Sequence, residues 1–181
     1  MTDVSKLELA AYHEAAHAVF TFNDRWHFLC GDVYANEEGH GEAPFALNHE
    51  AARNEMATSH DGTADRVFLK AAVIALAGIC AEIKLRHERG APAFDFDEAS
   101  NASPTDIAYA RQALGNMVKP QPLSSVATTT QSVISERPHV WANIERFALL
   151  LMDKRRLSAD EATRALQRIE TEIRTEQTES S

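Results

Sequence analysis

The chain has 181 residues, 44% of them hydrophobic and 25% charged, with a formal net charge of −9. That is enough for one well-filled core, and the acidic balance argues against nucleic acid or anionic membrane surfaces as main partners. The longest apolar run, residues 71–81, falls short of the roughly 20 residues that cross a bilayer. No basic-then-apolar leader opens the sequence, and its two cysteines, Cys30 and Cys80, make no disulfide framework. A cytoplasmic globular protein with both thiols reduced in the core is expected.

Ser5-Lys6-Leu7-Glu8 has the pattern of a capping box. The alanine-rich stretch behind it runs without glycine or proline as far as Gly31, which predicts a helix. That helix carries His13-Glu14-Ala15-Ala16-His17. At 3.6 residues per turn, His13 and His17 project on one side and can share a metal ion. Glu14, beside the first histidine, is placed to reach a water on that ion. This is the HExxH arrangement of zinc metallopeptidases, in which the glutamate is the general base.

Residues 27–35, with Phe28, Leu29, Val33 and Tyr34 around Gly31, read as a strand or short hairpin. Their apolar, β-prone character fits an edge strand beside the cleft, able to pair with an extended peptide. Those four residues are the candidate substrate contacts. His27 and Cys30 have metal-like spacing, but nothing nearby completes a site. Of the other histidines, His40 and His49 lie in or beside loops and are the candidates for the substrate side.

A short charged helix is expected over 48–60, then a turn at Asp61-Gly62-Thr63. The longest helix, 64–88, is apolar nearly all round and therefore central. Residues 91–103 read as an acidic, irregular segment. Ser103-Pro104 opens a further helix, closed by Pro120 and Pro122. Residues 123–136, rich in Ser and Thr, read as a mobile loop. Helices over 138–155 and 159–174 complete one domain spanning 1–174, with 175–181 as a disordered tail. The fold class is mainly α with one small β element.

Catalytic zinc takes three protein ligands and keeps one position open. The extended HExxHxxGxxH pattern fails here, with Phe20 in the glycine position and Asn23 in that of the third histidine. Glu82, Asp106, Asp95 and Asp97 remain as candidates, and spacing alone does not separate them. Glu82 could instead orient a ligand histidine through its other ring nitrogen.

AAYHEAAHAVF (10–20) resembles the zinc-binding helix of the FtsH-type, peptidase family M41, membrane-bound AAA proteases, with Ala16 where that family usually has glycine. ALAGICAEI (75–83) is similar to the family's next helix, with Ile79 in place of a common arginine. ASNASPTDIAYARQALGNMV (99–118) resembles the segment that delivers the third ligand, and aligning Ala110 and Met117-Val118 puts Asp106 on that position. LLLMDKRRLSADEATRAL (149–166) resembles the C-terminal helix-turn-helix.

The resemblance implies a zincin-like, FtsH peptidase-domain-like helical bundle. It implies one Zn2+ held by His13, His17 and Asp106, with Glu14 catalytic. The implied activity is that of a metalloendopeptidase acting on unfolded polypeptides or peptides. No G-x-x-x-x-G-K-[ST] phosphate loop and no AAA module occur in these 181 residues. ATP dependence would therefore need a separate AAA unfoldase as partner. The other reading is a catalytically silent M41-like module that keeps zinc as a structural ion and binds peptides or protein partners. A structural site has no need of Glu14, which is intact.

Overall fold

The computed structural model describes residues 4–58, 62–92 and 95–179. In chain order these form α1 (Lys6–Phe22), β1 (His27–Leu29), β2 (Val33–Ala35), β3 (Gly41–Glu42), β4 (Phe45–Leu47), α2 (His49–Thr58), α3 (Thr63–Glu88), α4 (Phe96–Ala102), α5 (Pro104–Gly115), α6 (Leu123–Glu136), α7 (Pro138–Lys154), β5 (Arg156–Leu157) and α8 (Ala159–Glu179). The protein is mainly α with a small β component, as its sequence indicates. No described helix is long and apolar enough to cross a membrane.

α1 starts where the Ser5 hydroxyl accepts the Glu8 N–H at 3.1 Å. The Glu8 carboxylate does not close the box but pairs with Arg89 at 2.9 Å. Pairings of Glu8 with Arg89, His13 with Glu82 and His17 with Ile74 show that α1 and α3 run antiparallel. Ala11, Ala15, Ala16 and Ala18 are fully buried, and their small side chains let the neighbouring backbones close in.

α3 is the wall shared by two cores. Its Ala77, Cys80, Ala81 and Leu85 belong to the core formed with α1, α7 and α8. Its Ala71, Ala72, Ala75, Leu76 and Ile79 belong to the core formed with α5 and α6. A helix apolar nearly all round is what this double duty requires. Trp26, Ala52 and Val67 form a third, smaller cluster that seats α2.

The β structure departs from the expected hairpin. β1 and β2 do not pair with each other: β1 pairs antiparallel with β4, and β2 lies between β3 and β5. The register sets Phe28 opposite Ala46, and Val33 opposite Leu157. β3 is a local partner, 6–8 residues from its mates in β2, but β4 lies 16–20 residues from β1 and β5 more than 120 from β2, so nothing local in 27–35 announces those two.

Other expectations are corrected as well. The acidic segment 91–103 contains α4, started by a capping box in which Asp95 accepts from the Glu98 N–H at 2.9 Å. Residues 123–136 are not a loop but α6. Thr128, Thr129 and Thr130 turn their hydroxyls back onto the carbonyls of Ser124, Ser125 and Val126. Val126, Ala127, Thr130 and Ile134 share its buried face, and packing of that face outweighs weak propensity. α8 runs on through 175–179, where a disordered tail was expected, and 180–181 lie outside the described residues. Asp61 of the expected turn also lies outside them. Cys80 is buried, but Cys30 is exposed.

Candidate metal centre

α1 places His13 and His17 one turn apart with 8% and 5% of their surface exposed. Their outer ring nitrogens are fixed by different partners. His13 Nδ1 donates to Glu82 Oε1 at 2.6 Å, and His17 Nδ1 donates to the Ile74 carbonyl at 2.7 Å, both on α3. Since a carbonyl only accepts, His17 must carry its proton on Nδ1, which frees the Nε2 lone pair.

Both Nε2 atoms turn toward one point. They lie 3.0 Å apart, and Asp106 Oδ2 sits 2.9 Å from His13 Nε2 and 3.6 Å from His17 Nε2. Asp106 stands in the first turn of α5, where Pro104 at N1 fixes the start of the helix. These three residues form a cluster of potential ligand atoms within 4.8 Å of one another. A tetrahedral zinc with bonds of roughly 2.0–2.1 Å spaces its ligand atoms about 3.3 Å apart. The donor set fits such an ion without rearrangement of the backbone.

Glu82 lies across the His13 ring from Asp106 and meets the other nitrogen. It is placed to orient the imidazole, the arrangement carboxylates adopt behind ligand histidines. Asp95 is committed to the cap of α4, and Asp97 is exposed.

Gly78 keeps the centre open. A Cβ there would stand 2.5 Å from His13 Nε2 and 2.6 Å from His17 Nε2. Any side chain on α3 at this level would occupy the space the two nitrogens face. Gly41 does the same for Glu14, since its Cβ would fall 2.5 Å from Glu14 Cγ and 2.8 Å from Glu14 Oε1.

The electrostatics follow from burying five ionisable groups together. Burial opposes a charge on His13, but the carboxylates of Asp106 and Glu82 outweigh it and raise its pKa to about 10. Burial likewise acts to raise Asp106, yet the hydrogen bond from His13 and the nearby His17 ring hold it well below the usual carboxylate range. Burial pushes Glu14 up, and the nearby histidines only partly restore it. Glu14 is thus a carboxylate with raised proton affinity, beside the cluster rather than in it.

A cleft of about 610 Å³ opens onto His13, Glu14, His17 and Asp106 between α1, residues 39–45 and the start of α5. His40 lines it, whereas His49 starts α2 elsewhere. Phe28, Leu29, Val33 and Tyr34 do not line it. Val33 is fully buried in the middle strand, Leu29 is a core residue, Phe28 is 49% exposed, and Tyr34 stacks under Arg156. The rim is formed instead by Gly41 to Phe45 and by Tyr109, whose ring meets Phe45 edge-on at 5.2 Å. Sequence reasoning missed this rim. Its one signal was Tyr109, three residues after Asp106 and so on the same face of α5. His27 Nδ1 is taken by Asp24 Oδ2 at 2.6 Å, which gives it a structural partner and not Cys30.

Comparison with protein-family models, with curated proteins and with solved structures found no match.

Proposed function

We propose that this protein is a zinc metallopeptidase of the FtsH-like, M41 type, hydrolysing peptide bonds in unfolded chains. The observation that carries this is the convergence of His13 Nε2, His17 Nε2 and the Asp106 carboxylate on one point beside the buried Glu14. Two histidines and a carboxylate from separate helices, with a glutamate next in sequence to the first histidine, match what metal-assisted hydrolysis needs.

His13, His17 and Asp106 would hold the ion, and Glu82 and the Ile74 carbonyl would keep the imidazoles turned toward it. Zinc bound there would supply Lewis acidity, to lower the pKa of a water and polarise a carbonyl. Glu14 would take the proton of the attacking water and return it to the leaving amine, and its raised proton affinity suits both transfers. The peptide would lie along the 41–45 rim, where β3 and β4 each have an unpaired edge within the described sheets. Main-chain pairing of this kind reads little sequence and requires an extended substrate. A separate AAA unfoldase would supply such chains from folded proteins.

The test is Glu14→Gln. Zinc content measured by elemental analysis should stay near one ion per chain. Cleavage of an unstructured protein, followed by gel and mass spectrometry, should fall by about 100- to 10,000-fold, the range for a lost general base. Loss of zinc together with activity would make Glu14 a ligand. Full activity in the variant would refute the mechanism.

A further inference from the structure

The start of α5 forms one side of the cleft at His13, and that start is uncapped. Ser103, which also ends α4, is held at ψ 61°, away from the extended conformation in which an N-cap hydroxyl reaches the first turn, and it makes no cap hydrogen bond. Pro104 has no N–H, and the Ile107 N–H already meets the Ser103 carbonyl at 3.3 Å. The N–H groups of Thr105 and Asp106 are left without an acceptor among the described residues. They sit at the positive end of the helix, whose partial charge of about +0.5 favours an anion.

The space in front of these donors holds a second group with nothing to bind. Ser103, Thr105 and Asp106 line the cleft together with Glu14. Glu14 is only 7% exposed and makes no hydrogen bond with any described residue. Asp106 itself fixes the distance from donor to cluster. Four covalent bonds separate its N from its Oδ2, a span of at most about 5 Å, and that oxygen lies 2.9 Å from His13 Nε2. The Asp106 N–H is therefore tethered beside the cluster.

We infer, building on the peptidase reading, that the Thr105 and Asp106 N–H groups form an oxyanion hole, donating to the carbonyl oxygen of the scissile peptide bond as charge develops on it. As the water oxygen bonds to the carbonyl carbon, the π pair of the C=O bond moves onto the carbonyl oxygen, and Glu14 takes one proton of the water. The C=O bond then re-forms as the C–N bond breaks, and the amine leaves with the proton from Glu14. Glu14 and Asp106 place two carboxylates near an oxygen that is gaining charge. Donors aimed at it offset a repulsion that the uncharged carbonyl does not feel, so they stabilise the transition state selectively. Held by a helix, they need no reorganisation during the reaction.

The experiment is 15N–1H NMR of the full zinc-loaded chain titrated with a blocked trialanine in which one CO–NH is replaced by PO2–NH, a stable copy of the tetrahedral state. The Thr105 and Asp106 amide protons should move downfield more than any others in α5. In parallel, Thr105→Pro deletes one donor in a turn where proline costs no helical hydrogen bond. It should lower kcat by about 100- to 1,000-fold at similar KM. Thr105→Ala keeps the N–H and should lose at least tenfold less. Zinc content and circular dichroism should match the unaltered chain in both variants. Shifts at His13 and His17 without shifts at Thr105 and Asp106, or equal losses in the two variants, overturn this inference and leave the peptidase reading standing. Substrates shortened only by their last residue overturn it too, since the N–H groups would then hold a substrate carboxylate. An unaltered chain that neither binds the probe nor cleaves an unstructured protein removes the peptidase reading and this inference together. If proline prevents folding, the amide shifts of the unaltered chain decide alone.

Discussion

Single side chains decide whether the centre can exist. Gly78 lies within α3, where exchanging glycine for alanine ordinarily stabilises a helix by about 0.8–1 kcal/mol. Here the added methyl would come within 2.5–2.6 Å of two imidazole nitrogens, closer than any non-bonded contact allows. Gly78→Ala should therefore keep its helical content by circular dichroism while zinc affinity drops at least tenfold. Unchanged affinity would mean that the nitrogens do not hold the ion. Asp24 is the corresponding residue for stability. Burial acts to raise its pKa, but the His27 ring and the Trp26 N–H outweigh this and hold it below its ordinary value of 3.8. A carboxylate whose pKa is lower folded than unfolded stabilises the fold above its unfolded pKa, and loses that contribution as pH falls through the folded one. Asp24→Asn should cost about 1–3 kcal/mol at pH 7. In urea melts the difference from the unaltered chain should shrink steadily below about pH 4. A gap that stays constant to pH 2 would show that the charge of Asp24 is not what matters.

At the scale of elements, what could be read from the sequence was whatever rests on local rules. α1, α3, α5 and α7 announce themselves through Ser5, Pro104 and Pro138 at their starts and through long apolar stripes. His13, Glu14 and His17 share this legibility, because their geometry is the geometry of one helix. Asp106 does not, since three other helices lie between it and α1, and only the resemblance of 99–118 to a known segment singled it out. α6 was hidden because Ser and Thr have poor helix propensity, and its stability comes from the face it lays on α3. The strands were hidden for a related reason. β2 is completed by Leu157, far along the chain, so a proline at Val33 should disturb the core and not merely a peptide-binding edge. The end of α8 is helical, yet Thr175 to Glu179 are exposed, with Glu176 reaching Arg146 at 2.6 Å. An exposed pair of this kind contributes about 0–1 kcal/mol. Deleting 175–181 should thus lower Tm by no more than a few degrees, a modest change readable by differential scanning calorimetry. A large fall would assign the terminal turn a packing role.

Over the whole molecule, the three potential ligand atoms come from helices that belong to different cores. His13 and His17 belong to the α1 side, in the core with α7 and α8, and Asp106 belongs to α5, in the core on the other face of α3. An ion held by all three would tie the two cores together and would bind the folded chain alone, since unfolding separates α1 from α5. Stability should then rise with free metal as RT ln(1 + [L]/Kd), about 4.1 kcal/mol at a thousandfold excess over Kd. The same burial that tunes the centre makes its metal-free form costly, because His13 is left charged between two carboxylates in a site only 8% exposed. Chelator should accordingly lower Tm of the unaltered chain by several degrees and restore it on adding zinc. His17→Ala and Asp106→Asn should melt at nearly one temperature with or without chelator. The two tryptophans report different clusters, Trp141 the core of α1 and α7 and Trp26 the small cluster at α2. Fluorescence and circular dichroism should therefore give coincident transitions when metal is bound. If chelator leaves Tm unchanged in the unaltered chain, the cluster is no metal site and the peptidase reading fails with it. If Tm falls equally in all three proteins, the ion acts somewhere other than His13, His17 and Asp106.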